Sequence, residues 1–312
     1  MSADELKEKL GKSVRTDEPM SRHSTIGIGG PARLYYEAKK VEEIIEAVAR
    51  AREYNVDYRV IGMGSNILVS DSGFDGIIIA NRTSVISMDS ESHQIICSSG
   101  VSLVRLIAYA AEHGLSGLEA LYGIPGTVGG AIYGNAGAHG VEITKYLRFI
   151  TLIDEEVNIT KQPTNWLEPS YRETRLKRTG GGLRRPVILV AGFQFQPRKI
   201  EDIQNDITKY RRWRVKHQPL AEKTTGSVFR NPSGSSAGAK AHSAGYLLES
   251  IGAKKMKVGA AEVTHGHANW IRNAGNATAA DARRLIEELK MKVAEKKQVG
   301  LKEEIEYIGQ WR

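Results

Sequence analysis

Seven glycines fall between Tyr122 and Gly140, in YGIPGTVGGAIYGNAGAHG, a stretch without Lys, Arg, Asp or Glu. Glycine at that density weakens helix and strand alike, so a folded chain concentrates it for a reason. A run of tight turns is one such reason. The other is a wall that meets a ligand with peptide N–H groups instead of side chains. A second glycine loop, GMGSN at Gly62–Asn66, follows the strand-like YRVIG. It lacks the third glycine of a G-x-G-x-x-G fingerprint, and neither G-K-S nor G-K-T stands at the spacing of a phosphate-binding P-loop. Two such loops together can surround a diphosphate with backbone donors and no helix dipole.

Side chains able to act on a ligand are sparser. Arg172, in YRETRLK, carries a guanidinium that can hold a carboxylate at two points; a lone arginine in a basic loop is otherwise simply solvated. Glu304, in LKEEIEYIG, would share one face of a strand with Glu306, and a solvated carboxylate face is the plain alternative. Ser227 follows a glycine in TTGSVFRNP, where serine ordinarily serves a turn. His267 fits a hydrogen-bonded core histidine as well as it fits a ligand contact.

The elements that must hold these residues read as alternating strand and helix. RLYYEA is a strand, and VEEIIEAVARAREY is a helix with Val41, Ile44, Ile45 and Val48 on one face. YRVIG and ILVS flank the first glycine loop, which makes a short βαβ unit. GIIIA and HQIICSSG begin a second β-rich unit. Its helix, VSLVRLIAYAAEHG, turns Leu103, Leu106, Ile107 and Ala110 inward and stops at Gly114. RFITLID and PVILVAGFQFQ are further strands. A last helix is expected from about Ala279 to Lys296, with Thr278 and Asp281 as its capping box and Leu285, Ile286, Leu289 and Val293 as its apolar stripe. SGSSAGAK and RTGGGLRR read as surface connections.

At 312 residues, with 41% hydrophobic and 26% charged residues, the chain has the composition of an ordinary globular protein of two or three domains. No apolar run approaches the roughly 18 to 20 residues of a membrane span, and the N-terminus lacks an apolar signal core. Cys97 is the only cysteine, which excludes an intrachain disulfide and cysteine-rich metal sites. Its setting makes it a small apolar residue of a strand. A cytoplasmic protein with no metal site follows. The net charge of +8 points to anionic partners. KYRRWRVK has five basic residues, yet Ile203, Ile207, Tyr210 and Trp213 give its segment a helical stripe, so it reads as an amphipathic helix with a solvated basic face. Neither nucleic acid nor membrane is an expected partner, and no protein partner is inferable.

Eight motifs stand in one order: HSTIGIGGPA, IGMGSNILV, GLEALYGIPGTVGGAIYGNAGAHG, YRETRLK, GSVFRNP, SAGYLLESIGAK, GAAEVTHGHANWIRNAGNATAAD and LKEEIEYIG. Together, from about Ser21 to Gly309, they resemble the UDP-N-acetylenolpyruvoylglucosamine reductase family, in its shorter subtype, of peptidoglycan precursor synthesis. The resemblance implies an α+β flavoenzyme with a vanillyl-alcohol-oxidase (PCMH) type of FAD-binding fold in two subdomains and a C-terminal α+β substrate-binding domain. The expected divisions are 1–80 with the strand 303–312, then 81–198, then 199–302. The implied reaction passes hydride from NADPH through non-covalent FAD to the enolpyruvyl double bond of a UDP-sugar.

By the same resemblance, Gly62, Gly64, Ser65 and Asn66 approach the FAD diphosphate, with Ser24 and Thr25 nearby. Gly123, Ile124, Pro125, Gly126, Thr127, Gly129, Gly130 and Ala131 line the flavin, with Gly134, Asn135 and Gly137. A branched side chain at Gly129 is expected to displace the ring. Ser227 is the implied proton donor, Arg172 the stabiliser of the enolate, and Glu304 the residue that orients the substrate or shares in proton transfer. Tyr171, Lys216, Asn231, His267 and Asn269 are implied neighbours of the sugar or diphosphate, with Arg212 and Arg214 as alternatives to Lys216. Thr174, Leu176 and Lys302 depart from the family's usual residues. The rivals are another FAD oxidase of the same fold acting on a hydroxy acid or alcohol, and a non-catalytic UDP-sugar-binding protein.

Overall fold

The computed structural model describes residues 2–89, 91–179, 182–232 and 243–311, so SGSSAGAK and the centre of RTGGGLRR lie outside the described residues. The chain divides into two compact units. The first comprises residues 1–16, 34–63 and 76–213, and the second 17–33, 64–75 and 214–312.

The first unit holds two apolar cores. In one, the helix Val41–Glu53 buries Ile44, Ala47, Val48 and Ala51, the 3.6-residue face that its spacing predicts. That face meets Leu34, Tyr58, Ile77 and Ile79. The strands Tyr58–Ile61 and Phe74–Asn81 run parallel there, with Ile61 opposite Ala80. An N-terminal helix, Ser2–Leu10, adds Ala3 and Leu6 to the same core. Its charged sequence conceals how few apolar residues it needs to dock.

The other core lies on a five-stranded antiparallel sheet in the order Ile159–Pro163, Leu147–Ile153, Val187–Gln194, Gln94–Ser98, Ile86–Asp89. Cys97 is buried in its strand, as expected. The helix Leu103–Glu112 covers the sheet with Leu103, Leu106, Ile107 and Ala110, capped by the Ser102 hydroxyl. Strand side chains alternate between faces, and Val187–Gln194 uses both. Ile188 and Phe193 enter this core, whereas Val187 and Leu189 enter the first. One strand therefore serves two cores, and residues 1–16, 34–63 and 76–198 of the two expected subdomains fall in one compact unit, while 17–33, 64–75 and the strand 303–312 belong to the other. The division expected near residue 198 lies at Trp213/Arg214, within the helix Ile200–His217. In that helix Ile203 is buried and Ile207 packs on the sheet core, but Tyr210 and Trp213 meet the His139 ring instead, at 5.0 and 4.6 Å between centroids.

The second unit is a four-stranded antiparallel sheet in the order Thr224–Ser227, Trp270–Asn273, Ala261–Val263, Lys257–Val258. The helix Ala279–Lys297 packs Ala282, Leu285, Ile286, Leu289 and Val293 into its core. Each such side chain contributes roughly 1.5–3 kcal/mol on full burial. The C-terminal strand Glu306–Ile308 pairs in parallel with Ile67–Val69. No helix among the described residues is long and apolar enough to cross a membrane.

The start of helix Ala279–Lys297 is doubly held. Thr278 and Asp281 form the expected capping box. Asp71 adds a carboxylate that accepts from the N–H groups of Ala279 at 2.7 Å and Ala280 at 2.8 Å. Two donors that no helix can satisfy by itself are thus satisfied by an anion at the positive end of its dipole. Asp71→Ala should lower stability by about 1–2 kcal/mol in denaturant unfolding. Asp71→Asn, which keeps an acceptor, should lose less, and an alanine variant as stable as the parent would refute the assignment.

Candidate functional site

In the first unit the glycine-rich stretch is not a series of free turns. It is fastened to Ser99–Leu103 by backbone bonds: Gly129 N–H to Ser99 O at 2.8 Å, Val128 N–H to Val101 O at 2.8 Å, and Leu103 N–H to Gly126 O at 3.0 Å. Thr127 begins the short helix Val128–Tyr133, its hydroxyl accepting from Gly130 N–H. The same threonine explains Gly62: a Cβ there would lie 2.4 Å from Thr127 Oγ1. The two glycine loops therefore abut in this unit. Arg82, which the motif reading missed, donates to Gly62 O at 2.7 Å and fixes the first loop.

Gly129 corrects the sequence reading. A Cβ there would sit 3.0 Å from Ser99 Cβ and 3.2 Å from Ser99 O, so the position faces protein. Gly130 and Gly134 face room, their nearest neighbours to an added Cβ being at 3.6 and 3.7 Å. A surface of bare backbone suits a planar cofactor, and at these two glycines, unlike Gly129, a side chain would not press on the protein. Pro125 is exposed, Gly123 and Ile124 are half-buried, and Ala131 is buried beneath.

Arg172 belongs to the same unit. Ser170 and Glu173 exchange backbone hydrogen bonds of 2.9 and 3.1 Å, which leaves Tyr171 and Arg172 as the two central residues of a tight turn. Arg172 takes φ +57°, a left-handed conformation that disfavours a long side chain by roughly 1–2 kcal/mol. Its guanidinium donates to the carbonyls of Asn135, at 3.4 Å, and Gly137. A Cβ at Gly137 would lie 2.9 Å from Arg172 Nη1, so that glycine makes room for the arginine. Tyr171 is exposed, with the guanidinium 5.1 Å from its ring centroid. The departures from the family pattern are absorbed locally. Thr174 keeps a hydroxyl that donates to Tyr133 O at 2.7 Å, and Leu176 fills the core.

Asn135 stands apart from the cofactor assignment given to it by resemblance. It is fully buried, and its amide is engaged by Ser170 O, Glu142 Oε2 and the Thr144 hydroxyl. Its side chain serves the arginine turn.

In the second unit the segment carrying Ser227 is hydrogen-bonded to the segment carrying Glu304. Ser227 pairs with Trp270, and the register slips between Thr224 and Ser227, where Gly226 takes φ +70°. This bulge aims the serine independently of the strand before it. Glu304 N–H donates to Val228 O at 2.7 Å, so the two candidate side chains stand on hydrogen-bonded segments. Their neighbours hold backbone. Asn66 donates to Glu304 O at 3.0 Å and accepts from Glu306 N–H at 2.9 Å. Asn269 both accepts from Phe229 N–H at 3.0 Å and donates to Phe229 O at 2.8 Å. Thr25 donates to Thr224 O at 2.6 Å, and Ser24 to Ile28 O at 2.8 Å. Gly64 admits no Cβ, which would lie 2.0 Å from His23 O. A Cβ at Gly226 would lie 3.7 Å from Ser65 O. These residues were read from sequence as ligand contacts, and the structure gives Thr25, Ser24, Asn66 and Asn269 side-chain partners within the protein.

Asn231 accepts from Ala244 N–H at 3.0 Å, at the start of the helix Ala244–Ser250. Lys216 is exposed, whereas Arg214 is only 4% exposed and donates to Gln218 at 3.1 Å. Glu303, the residue before Glu304, is ion-paired to Lys290 at 2.7 Å. Half-buried His267 accepts at Nδ1 from Asn269 N–H at 3.2 Å, which puts its proton on Nε2. Burial, with the Lys254 charge second, holds its pKa below the ordinary 6.5.

The chain matches the family model for the C-terminal domain of UDP-N-acetylenolpyruvoylglucosamine reductase over residues 218–308, and an FAD binding domain over residues 32–159. It is 37% identical to the UDP-N-acetylenolpyruvoylglucosamine reductase of Caldicellulosiruptor saccharolyticus over 306 residues, 97% of this chain and 94% of that protein. Against the reductase of Carboxydothermus hydrogenoformans the identity is 38% over 307 residues, 98% of each. The crystal structure of UDP-N-acetylenolpyruvylglucosamine reductase from Thermus caldophilus matches with TM-score 0.75 at 29% identity, covering 93% of this chain and 97% of that one.

Two predictions follow from the geometry. Gly130→Val should abolish flavin retention on purification while the melting temperature holds. Gly129→Val should instead lower the melting temperature by crowding Ser99. The reverse pattern would show that the wall has been assigned the wrong face. His267 is neutral when folded, so the stability it contributes is complete above about pH 6.5 and is lost as pH falls through its lower folded pKa. From about pH 7.5 to 5 the parent should therefore lose more stability than His267→Gln; parallel melting curves would contradict this.

Proposed function

The chain belongs to the UDP-N-acetylenolpyruvoylglucosamine reductase family, and from that membership we propose that it reduces the enolpyruvyl group of UDP-N-acetylglucosamine enolpyruvate to give UDP-N-acetylmuramate, with NADPH as hydride donor. It is an FAD-dependent oxidoreductase. FAD, when bound, supplies the two-electron store that links the two substrates. Gly130 and Gly134 offer it bare backbone, and no side chain stands within 3.5 Å of an added Cβ at either.

Hydride added to the enolpyruvyl double bond leaves negative charge on the carboxylate side of that bond. Arg172 holds the carboxylate and stabilises the enolate by charge and by two-point hydrogen bonding. Ser227 Oγ–H then gives its proton to the carbon left anionic. A serine hydroxyl is a weak acid, yet an enolate held against it is a strong enough base to take that proton. Glu304 orients the enolpyruvyl group or shares in the proton transfer. The observation that best supports these last two roles is the 2.7 Å bond from Glu304 N–H to Val228 O, which keeps the glutamate in fixed relation to the serine strand. Tyr171, Lys216 and Asn231 remain the proposed contacts to the UDP-sugar.

Anaerobic rapid mixing separates the two halves of the reaction. Ser227→Ala should leave flavin reduction by NADPH near normal and slow reoxidation by the enolpyruvyl substrate by roughly 100- to 10,000-fold. Ser227→Cys, which keeps a proton, should recover part of that loss. Arg172→Gly and Arg172→Ala should both slow reoxidation, and the glycine variant should be the more stable by about 1 kcal/mol because the left-handed backbone is relaxed. Equal slowing of both half-reactions in Ser227→Ala, or of neither, would remove the serine from the mechanism.

A further inference from the structure

The chemistry assigned to Arg172 needs its guanidinium to be in place before a carboxylate arrives. An arginine side chain has enough rotatable bonds to defeat that unless something fixes both its root and its head. The root is the turn Ser170–Glu173, and the head is bonded to the carbonyls of Asn135 and Gly137. One residue touches both. Asn135 lends its backbone carbonyl to the head and its side-chain Nδ2 to the root, donating to Ser170 O at 2.8 Å.

The rest of its amide is equally engaged. Nδ2 donates a second bond to Glu142 Oε2 at 3.0 Å, and Oδ1 accepts from the Thr144 hydroxyl at 2.8 Å. The residue is fully buried and takes φ +42°. Asparagine is among the few residues other than glycine that accept a left-handed backbone readily. It is also uncharged with two donors and an acceptor, which is what Ser170 O, Glu142 and Thr144 require. Aspartate has the same shape but would set oxygen against the Ser170 carbonyl and the Glu142 carboxylate. Glycine accepts the backbone angle but has no amide.

We propose that Asn135 is a positioning residue for Arg172: its buried amide locks the turn that carries the arginine to the loop whose carbonyls hold the guanidinium. The inference rests on the reading of Arg172 as the residue that stabilises the enolate. It separates Asn135 from Gly130 and Gly134, which are proposed to offer backbone to the cofactor.

The test is a double-mutant cycle on the FAD-loaded enzyme, read as the two half-reactions, the flavin absorption spectrum and the melting temperature. Asn135→Gly keeps the backbone angle and removes the amide. It should slow reoxidation by the enolpyruvyl substrate by roughly 10- to 100-fold, raise the KM for that substrate, and leave NADPH reduction and the flavin spectrum unchanged. In an Arg172→Ala background the same change should add no further loss, because nothing is left to position. Thr144→Val, a milder loss of one donor to Oδ1, should move reoxidation in the same direction by less, which keeps the test open if Asn135→Gly folds poorly. Slow reoxidation in Arg172→Ala with unchanged reoxidation in both the Asn135 and Thr144 variants would overturn the positioning role alone. So would losses that multiply in the double variant. Normal reoxidation in Arg172→Ala would overturn the reading of the arginine, and the positioning role with it.

Discussion

A side-chain amide can donate and accept as a peptide does, without charge, and each segment carrying a candidate catalytic residue is held by one, buried at Asn135 and Asn269 and half-buried at Asn66. Asn135 holds the Arg172 turn, Asn66 holds the peptide of Glu304, and Asn269 grips both polar groups of Phe229, two residues beyond Ser227. These segments are loops or strand ends, where no regular ladder satisfies the backbone. An unpaired buried N–H or C=O costs about 1–3 kcal/mol, so a loop rich in them is unstable unless something pairs with it. An amide does so without the desolvation penalty of a carboxylate or ammonium. The reactive groups can then sit on irregular backbone and still be held as firmly as residues in a sheet.

The glycines answer the complementary requirement. Where the amides add partners, the glycines remove atoms. Gly62 clears space for Thr127, and Gly137 clears space for the Arg172 guanidinium. At Gly130 and Gly134 an added Cβ would make only ordinary contacts, at 3.6 and 3.7 Å, and at Gly140 it would meet nothing within 4 Å. A glycine-rich sequence therefore mixes two populations: glycines that admit other parts of the chain, and glycines with nothing pressed against them. Counting them cannot separate the two, because the difference lies in what stands opposite each missing Cβ.

That distinction marks where the sequence is legible. The helix faces of Val41–Glu53 and Leu103–Glu112, the capping box at Thr278 and the burial of Cys97 all follow from local pattern, and the structure has them where the pattern puts them. The ordered motifs carried the family and the FAD domain. Local pattern does not reveal which of two neighbouring polar groups faces outward. Asn135, Asn66 and Thr25 lie in motifs associated with a cofactor, yet their partners stand 35, 238 and 199 positions away in the chain. The helix Ser2–Leu10 escaped notice for a related reason: its stripe is only Ala3, Leu6 and Leu10, set among charged residues. Gly129 was assigned to the wrong side because Ser99, its close neighbour, comes 30 residues earlier.

Glu303 and Glu304 show how a single residue of register divides structural work from chemistry. Both carboxylates are partly buried, and their composition and local charge are the same. Glu303 forms a bridge with Phe229 and reaches Lys290 on the long C-terminal helix at 2.7 Å. That bond, more than any other cause, raises the lysine pKa, and it ties the C-terminal segment to the helix. Strand-like backbone sends the next side chain the other way. Asn66 and Val228 hold the peptide of Glu304 from either side. Anchoring one glutamate is what gives its neighbour a fixed direction. The proposed chemistry at Glu304 thus relies on the ion pair formed by the residue before it.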